Sequence, residues 1–116
     1  MKDGKEHEKV FDVAWSGDRK PDSKTGKVPA VGNTVDVKAA TYTNTIGSTE
    51  LSTVWTDPEF DATQYACYYV RGIEIPTPRW STYDAARNNL PLNTIVDATI
   101  QERAWTSPIW YTPVVK

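Results

Sequence analysis

A chain of 116 residues with a formal net charge of −2 has room for one domain, and a compact domain of that size buries roughly two-thirds of its unfolded surface. The acidic balance excludes a nucleic-acid binder, whose phosphate contacts need a basic face. No apolar run approaches the ~20 residues that cross a bilayer, and a single cysteine excludes an internal disulfide.

The chain opens on Lys2-Asp3-Gly4-Lys5, which reads as a turn between strands. A chain opening on a hairpin turn is expected to be the later part of something longer. The first nine residues are too polar for a signal peptide. Residues 10–15 alternate, with Phe11, Val13 and Trp15 opposite Asp12, as a strand does. Residues 16–33 form the longest loop, with a tight turn at Lys24-Thr25-Gly26-Lys27. Its cluster Arg19-Lys20, Lys24 and Lys27 is interleaved with Asp18 and Asp22 and reads as a solvated loop. Residues 34–43 alternate again, Thr45-Ile46-Gly47-Ser48 turns, and residues 50–56 place Leu51, Thr53 and Trp55 on one face. Pro58 stops that strand because it cannot donate to a ladder.

Residues 64–75 form the strongest expected strand, with apolar side chains on both faces through Val70, the pattern of a central strand covered on both sides. Gly72 is the expected bulge, Cys67 a small core residue, and Pro76-Thr77-Pro78 the end of the strand. Ser81-Thr82-Tyr83-Asp84 has capping-box spacing and predicts a short helix over residues 82–87. Residues 95–104 and 109–112 complete the sheet, with a kink at Ser107-Pro108. The expected architecture is all-β, mainly an antiparallel β-sandwich or partial sandwich, with one short helix, residues 1–116 forming a single β domain.

No catalytic constellation emerges. His7 is the single histidine and Cys67 the single cysteine, whereas a zinc site needs three or four ligands. No metal ligand is therefore assigned. The run Asp57-Pro58-Glu59-Phe60-Asp61 places carboxylates as calcium loops do, but Ala62 and Tyr68 stand where an EF-hand wants Gly and Glu. A solvated turn fits better. Gly26-Lys27 lacks the remainder of a phosphate loop. The five Trp residues could form a sugar-stacking platform, with Trp80 the best candidate for an exposed ring. On alternating strands Trp is more often core or an anchor against a partner.

Several long runs carry a resemblance. Val13-Ala14-Trp15-Ser16-Gly17-Asp18-Arg19-Lys20, Val31-Gly32-Asn33-Thr34-Val35-Asp36, Thr41-Tyr42-Thr43-Asn44-Thr45-Ile46-Gly47, Glu50-Leu51-Ser52-Thr53-Val54-Trp55-Thr56-Asp57-Pro58 and residues 101–113 stand in the order found in the bacterial domain-of-unknown-function family 3604, which the chain resembles over nearly its whole length. Arg103 to Trp110 also resembles a run near the end of carbaryl-hydrolase-like metalloesterases. The resemblance implies a C-terminal part of a longer protein. The missing N-terminal part would be a PHP-type, amidohydrolase-like metal-dependent hydrolase. Its Asp-x-His-x-His metal motif has no counterpart here, so the expected metal belongs to that missing part and this chain holds no cofactor.

The expected function is a non-catalytic C-terminal accessory β domain that packs against or caps the hydrolase domain. Asp18, Arg19, Arg79 and Trp80, at strand-to-loop junctions, are the candidate ligand or domain contacts. An open sheet edge predicts a homodimer as a further partner. Two readings of other classes stay open: a free-standing carbohydrate- or ligand-binding β module with an aromatic platform, and a small enzyme using Cys67.

Overall fold

The computed structural model describes residues 5–114; the turn expected over residues 2–5 lies outside them except at Lys5. Its regular elements are β1 (Ala66–Tyr68), β2 (Arg71–Ile73), β3 (Thr77–Pro78), α1 (Trp80–Asn88), β4 (Thr99–Ile100), β5 (Arg103–Trp105) and β6 (Ile109–Tyr111). The strands pair antiparallel as β1–β6, β2–β5 and β3–β4. The chain is thus all-β with a single short helix.

The three ladders are successive pieces of one hairpin ribbon, interrupted twice by a register step. Tyr68 pairs with Ile109 and Arg71 with Trp105. Tyr69 and Val70 therefore face Thr106, Ser107 and Pro108, one residue more. The ribbon is held across this bulge by Thr106 N donating to Val70 O and Val70 N donating to Thr106 Oγ1, both at 3.0 Å. Glu74 N donates to Glu102 O at 2.9 Å, and pairing resumes at Thr77 with Ile100. Here Ile75 and Pro76 face Gln101 alone, whose Nε2 donates to Glu74 O at 2.9 Å. Each extra residue lies in a segment holding a proline, where a missing N–H costs no ladder bond. The expected endpoint at residues 76–78 is thus corrected: Pro76 bends the ribbon and Thr77–Pro78 pairs again. Gly72 is not a bulge; it pairs with Ala104 inside β2–β5.

Helix α1 closes the far end of the ribbon. Its N-cap is Arg79, whose carbonyl accepts from Thr82 N and Tyr83 N. The helix starts ahead of the expected capping box, so Ser81 lies inside the first turn and no side chain caps it. Arg79 N and Thr82 Oγ1 both donate to Ala98 O, at 2.9 and 2.6 Å. Thr82 is the most enclosed side chain, 1% exposed. Asn89 ends the helix in the left-handed conformation (φ 50°), and Leu90 N reaches back to Ala85 O at 2.9 Å, the closing bond of a Schellman motif.

Among the described residues the first half forms no sheet of its own, and its Gly47 turn approaches the ribbon at Ile75. Residues 10–15 and 50–56, expected as strands, are unpaired in ladders, and residues 34–43 reduce to one bridge between Asp36 and Thr41. Side chains replace the missing ladder. Thr34 Oγ1 donates to Thr43 O at 2.7 Å and accepts from Thr43 N at 3.1 Å. Asp12 Oδ2 accepts from Val28 N at 2.8 Å, Phe11 packs on Trp55 with centroids 5.0 Å apart, and Lys9 bonds Glu59. Asp22 Oδ1 accepts from Lys24 N, Thr25 N and Thr25 Oγ1, and these bonds, led by the Thr25 amide, hold its carboxyl below the usual carboxylate range.

Residues 57–62 clamp one end of the ribbon. Phe60 meets the Tyr111 ring edge-on at 4.9 Å, Tyr111 Oη donates to Ala62 O at 3.0 Å, and Tyr68 Oη donates to Asp57 Oδ2 at 2.7 Å. That hydrogen bond, then burial and the Asp57 charge, raise the Tyr68 pKa above the ordinary 10.0. A raised folded-state value means the neutral phenol stabilises the clamp fully below the ordinary tyrosine value. The contribution is lost as pH rises through the higher folded value. We expect the Tyr68 ring resonance to titrate above the ordinary 10.0, and Asp57→Asn to lower it toward that value; unchanged titration in the variant would refute the assignment.

Among the described residues a central core is missing. The chain measures 68 × 30 × 25 Å with a radius of gyration of 19.3 Å, against about 13 Å for a compact domain of its length. Its accessible surface is 9785 Å², where a folded monomer of this mass exposes roughly 6,300 Å². The expected two-thirds burial is therefore corrected to about half. Among the described residues, the buried hydrophobic side chains are Ala40 and Ala85.

Candidate functional site

The four residues expected to mark a site do not converge. Asp18 is exposed in the turn after Ser16. The Arg19 guanidinium is consumed inside its own loop, donating to Ser16 O at 3.0 Å, Ser16 Oγ at 3.2 Å and Pro29 O at 2.7 Å. That geometry makes Arg19 the clasp of the long loop. Arg79 caps α1, and its Nε donates to Asp97 O at 2.8 Å. It lines an open groove of about 640 Å³ together with Asn33, Glu102, Arg103 and Trp105. Trp80 follows it in sequence but lies along a second groove of about 430 Å³, beside Leu90, Leu92 and Ile95. Asp18 and Arg19 line neither.

Cys67 was expected in a core, yet it is exposed in the middle of β1. The correction has a simple cause: among the described residues β1 has one neighbour, β6, and the face on which Cys67 stands is left exposed. Four of the five Trp residues are likewise exposed, Trp55 at 40%, Trp80 at 72%, Trp105 at 59% and Trp110 at 74%. Among the described residues no group of three or more His, Cys, Asp or Glu is placed to hold a metal. The Asp57 and Asp61 carboxylates accept from the Glu59 and Thr63 amides, as turn residues do. No helix of the described residues is long and apolar enough to cross a membrane.

What the ribbon does assemble is a continuous face. Side chains two apart on a strand, and those directly opposite on its partner, share a side. On strand residues 65–73 this gives Tyr65, Cys67, Tyr69, Arg71 and Ile73. Across the ladder Trp110 stands opposite Cys67, Trp105 opposite Arg71 and Arg103 opposite Ile73. All eight are exposed. The alternate residues Gln64, Ala66 and Tyr68 are half-buried, because the 57–62 clamp covers their side. The apolar doubling of residues 64–75 was the sequence signal for this face; read as a buried strand, it pointed to burial rather than to a surface.

Comparison with known proteins agrees with this reading of the runs. The family described as "Protein of unknown function (DUF3604)" matches residues 1–113. The chain belongs to the DUF3604 family. No curated protein and no solved structure matches it. The DUF3604 chain therefore presents, beside the grooves lined by Arg79 and by Trp80, an exposed aromatic and arginine-bearing ribbon face.

Proposed function

We propose that this DUF3604 chain is a non-catalytic accessory β layer that packs against, or caps, the metal-binding domain of a PHP-type hydrolase. One observation carries the reading. A chain that buries two hydrophobic side chains among its described residues and exposes 9785 Å² lacks the apolar burial that offsets backbone ordering. A surface supplied from outside would provide it. A two-stranded ribbon is marginal alone, and this one spans roughly 40 Å at about 3.3 Å per residue. The hydrolase chemistry, including any metal, belongs to the partner domain.

Calorimetry tests the proposal. The isolated chain is expected to melt broadly, with an enthalpy well below the ~0.7 kcal/mol per residue of a packed domain. Mixed with the metal-binding portion of a longer DUF3604 protein, it should join a single cooperative transition. A sharp, full-enthalpy transition of the isolated monomer would refute the proposal. So would hydrolysis of an ester or phosphate by the chain alone, abolished by changing one of its own side chains. The ribbon edges, unpaired within the described residues, also favour a homodimer through edge pairing.

The exposed rings of Trp80 and Trp110 favour a second reading, a carbohydrate platform. Quenching of tryptophan fluorescence by oligosaccharides, lost on Trp110→Ala, would establish it over the accessory role.

A further inference from the structure

We propose that the groove between Asn33, at the end of the long loop, and residues 97–105 binds a saccharide. The inference goes beyond the accessory role and neither needs nor excludes it. It places the sugar at Trp105 rather than on Trp80 or Trp110.

The groove, about 640 Å³, has the size of a small-ligand site but not the mostly apolar lining usual for one. Its apolar members are the buried Pro76, the half-buried Ile100, and Trp105, which is 59% exposed. The rest of the lining is amide, guanidinium, carboxylate and hydroxyl.

Three of the planar side chains are held at one end and open at the other. Asn33 Oδ1 accepts from Val35 N at 2.9 Å, which leaves its Nδ2 to donate. Gln101 Nε2 donates to Glu74 O at 2.9 Å, which leaves its Oε1 to accept. Arg79 Nε donates to Asp97 O at 2.8 Å, which leaves the remaining guanidinium N–H groups. Anchoring of this kind orders the groups before a ligand arrives and lowers the entropic cost of binding. The open ends mix donors with acceptors, and a hydroxyl serves both.

Charge narrows the class. Arg79 and Arg103 stand against Asp97 and Glu102, two guanidiniums to two carboxylates, so the groove does not select a phosphate or a nucleic acid. Among the described residues none of the four forms an ion pair, and each keeps hydrogen-bonding capacity for hydroxyls. Trp105 adds an exposed ring on which an apolar C–H face can stack. A polyhydroxylated ring with one apolar face matches the donors, the acceptors and the indole together.

The test titrates the full chain with oligomers of cellulose, xylan, starch and polygalacturonate, following side-chain N–H resonances by nuclear magnetic resonance. At least one probe is expected to bind saturably and to shift the Asn33 and Gln101 side-chain amides and the Trp105 indole. Asn33→Asp keeps the acceptor for Val35 N, replaces the open donor, and should weaken binding ~10-fold or more. Trp105→Ala should weaken it by at least as much. The shifts on the unaltered chain give a readout independent of any variant, and an unchanged Val35 amide in Asn33→Asp shows the loop intact. No saturable shift with any probe would overturn the inference, as would full affinity in both variants. Displacement of the oligomer by inorganic phosphate at equal concentration would overturn it in favour of an anion site. Binding lost on Trp110→Ala yet kept by Trp105→Ala and Asn33→Asp would also overturn it and return the sugar to the exposed-ring platform. The accessory role stands or falls separately, on the calorimetry.

Discussion

Replacing Gly47 with alanine is expected to detach the first half of the chain from the ribbon. Gly47 has φ +83°, and a Cβ there would sit 2.6 Å from Ile75 Cγ2. Two costs combine. A side chain in that backbone region costs about 1–3 kcal/mol, and a methyl forced against a β-branched neighbour adds a further cost of about 1–3 kcal/mol. A total of about 2–6 kcal/mol disfavours the closed contact by roughly 30-fold or more. The nuclear Overhauser contact between Gly47 and the Ile75 methyl should therefore vanish, and the Glu74 amide, which donates to Glu102 O beside that contact, should exchange faster. Ile75→Ala in the same chain separates the costs, because it removes the clashing methyl and leaves only the backbone term. Recovery of part of the protection is expected. Full recovery would show that backbone strain contributes nothing, and an unperturbed Gly47→Ala chain would show that the turn does not approach Ile75.

Much of this ribbon could be foreseen because its strands carry aromatic and β-branched residues flanked by turn signals. The short helix was foreseen near its true place, though from a Ser81 box that does not cap it. The bulges could not be foreseen as such. Proline is read as a strand terminator because it lacks an N–H, yet at a bulge that N–H is not required, and Pro76 and Pro108 bend the ribbon instead of ending it. The alternation at residues 10–15 and 50–56 was real but incomplete as evidence. Period two states which side chains share a face, not whether another strand stands beside the backbone. The same gap misplaced Cys67 and the tryptophans: a doubled apolar pattern identifies a strand fit to be covered, and coverage depends on what lies next to it in space. Arg79 and Trp80 show the converse, since adjacency in sequence at a helix start sends their side chains to different grooves. Arg19 looked like a contact residue because loops carry function, whereas three of its five N–H donors hold the eighteen-residue excursion together.

Truncating Tyr111 should release the 57–62 clamp, and the size of the effect distinguishes its two components. The ring meets Phe60 edge-on at 4.9 Å and 74°, an arrangement that contributes about 0.5–1.5 kcal/mol beyond the area it covers. The hydroxyl donates to Ala62 O, a bond with a net contribution of about 0.5–1.5 kcal/mol. Tyr111→Ala removes both and is expected to cost about 1–3 kcal/mol of local closing free energy, whereas Tyr111→Phe should lose only the hydroxyl share. Phe60→Ala removes the ring pair and keeps the hydrogen bond, so its loss should fall between them. The readout is exchange at Gln64 N, which donates to Asp61 O at 3.0 Å within the clamp, together with the ring-current shift of Phe60. Because Tyr68 and Asp57 anchor the same segment, Tyr111→Ala and Asp57→Asn should not be independent. Once the first anchor is gone, the second holds a segment already open, and its removal costs less. Additive losses would mean that the two anchors hold separate pieces of chain, and the clamp would then not be a single unit closing over the end of the ribbon.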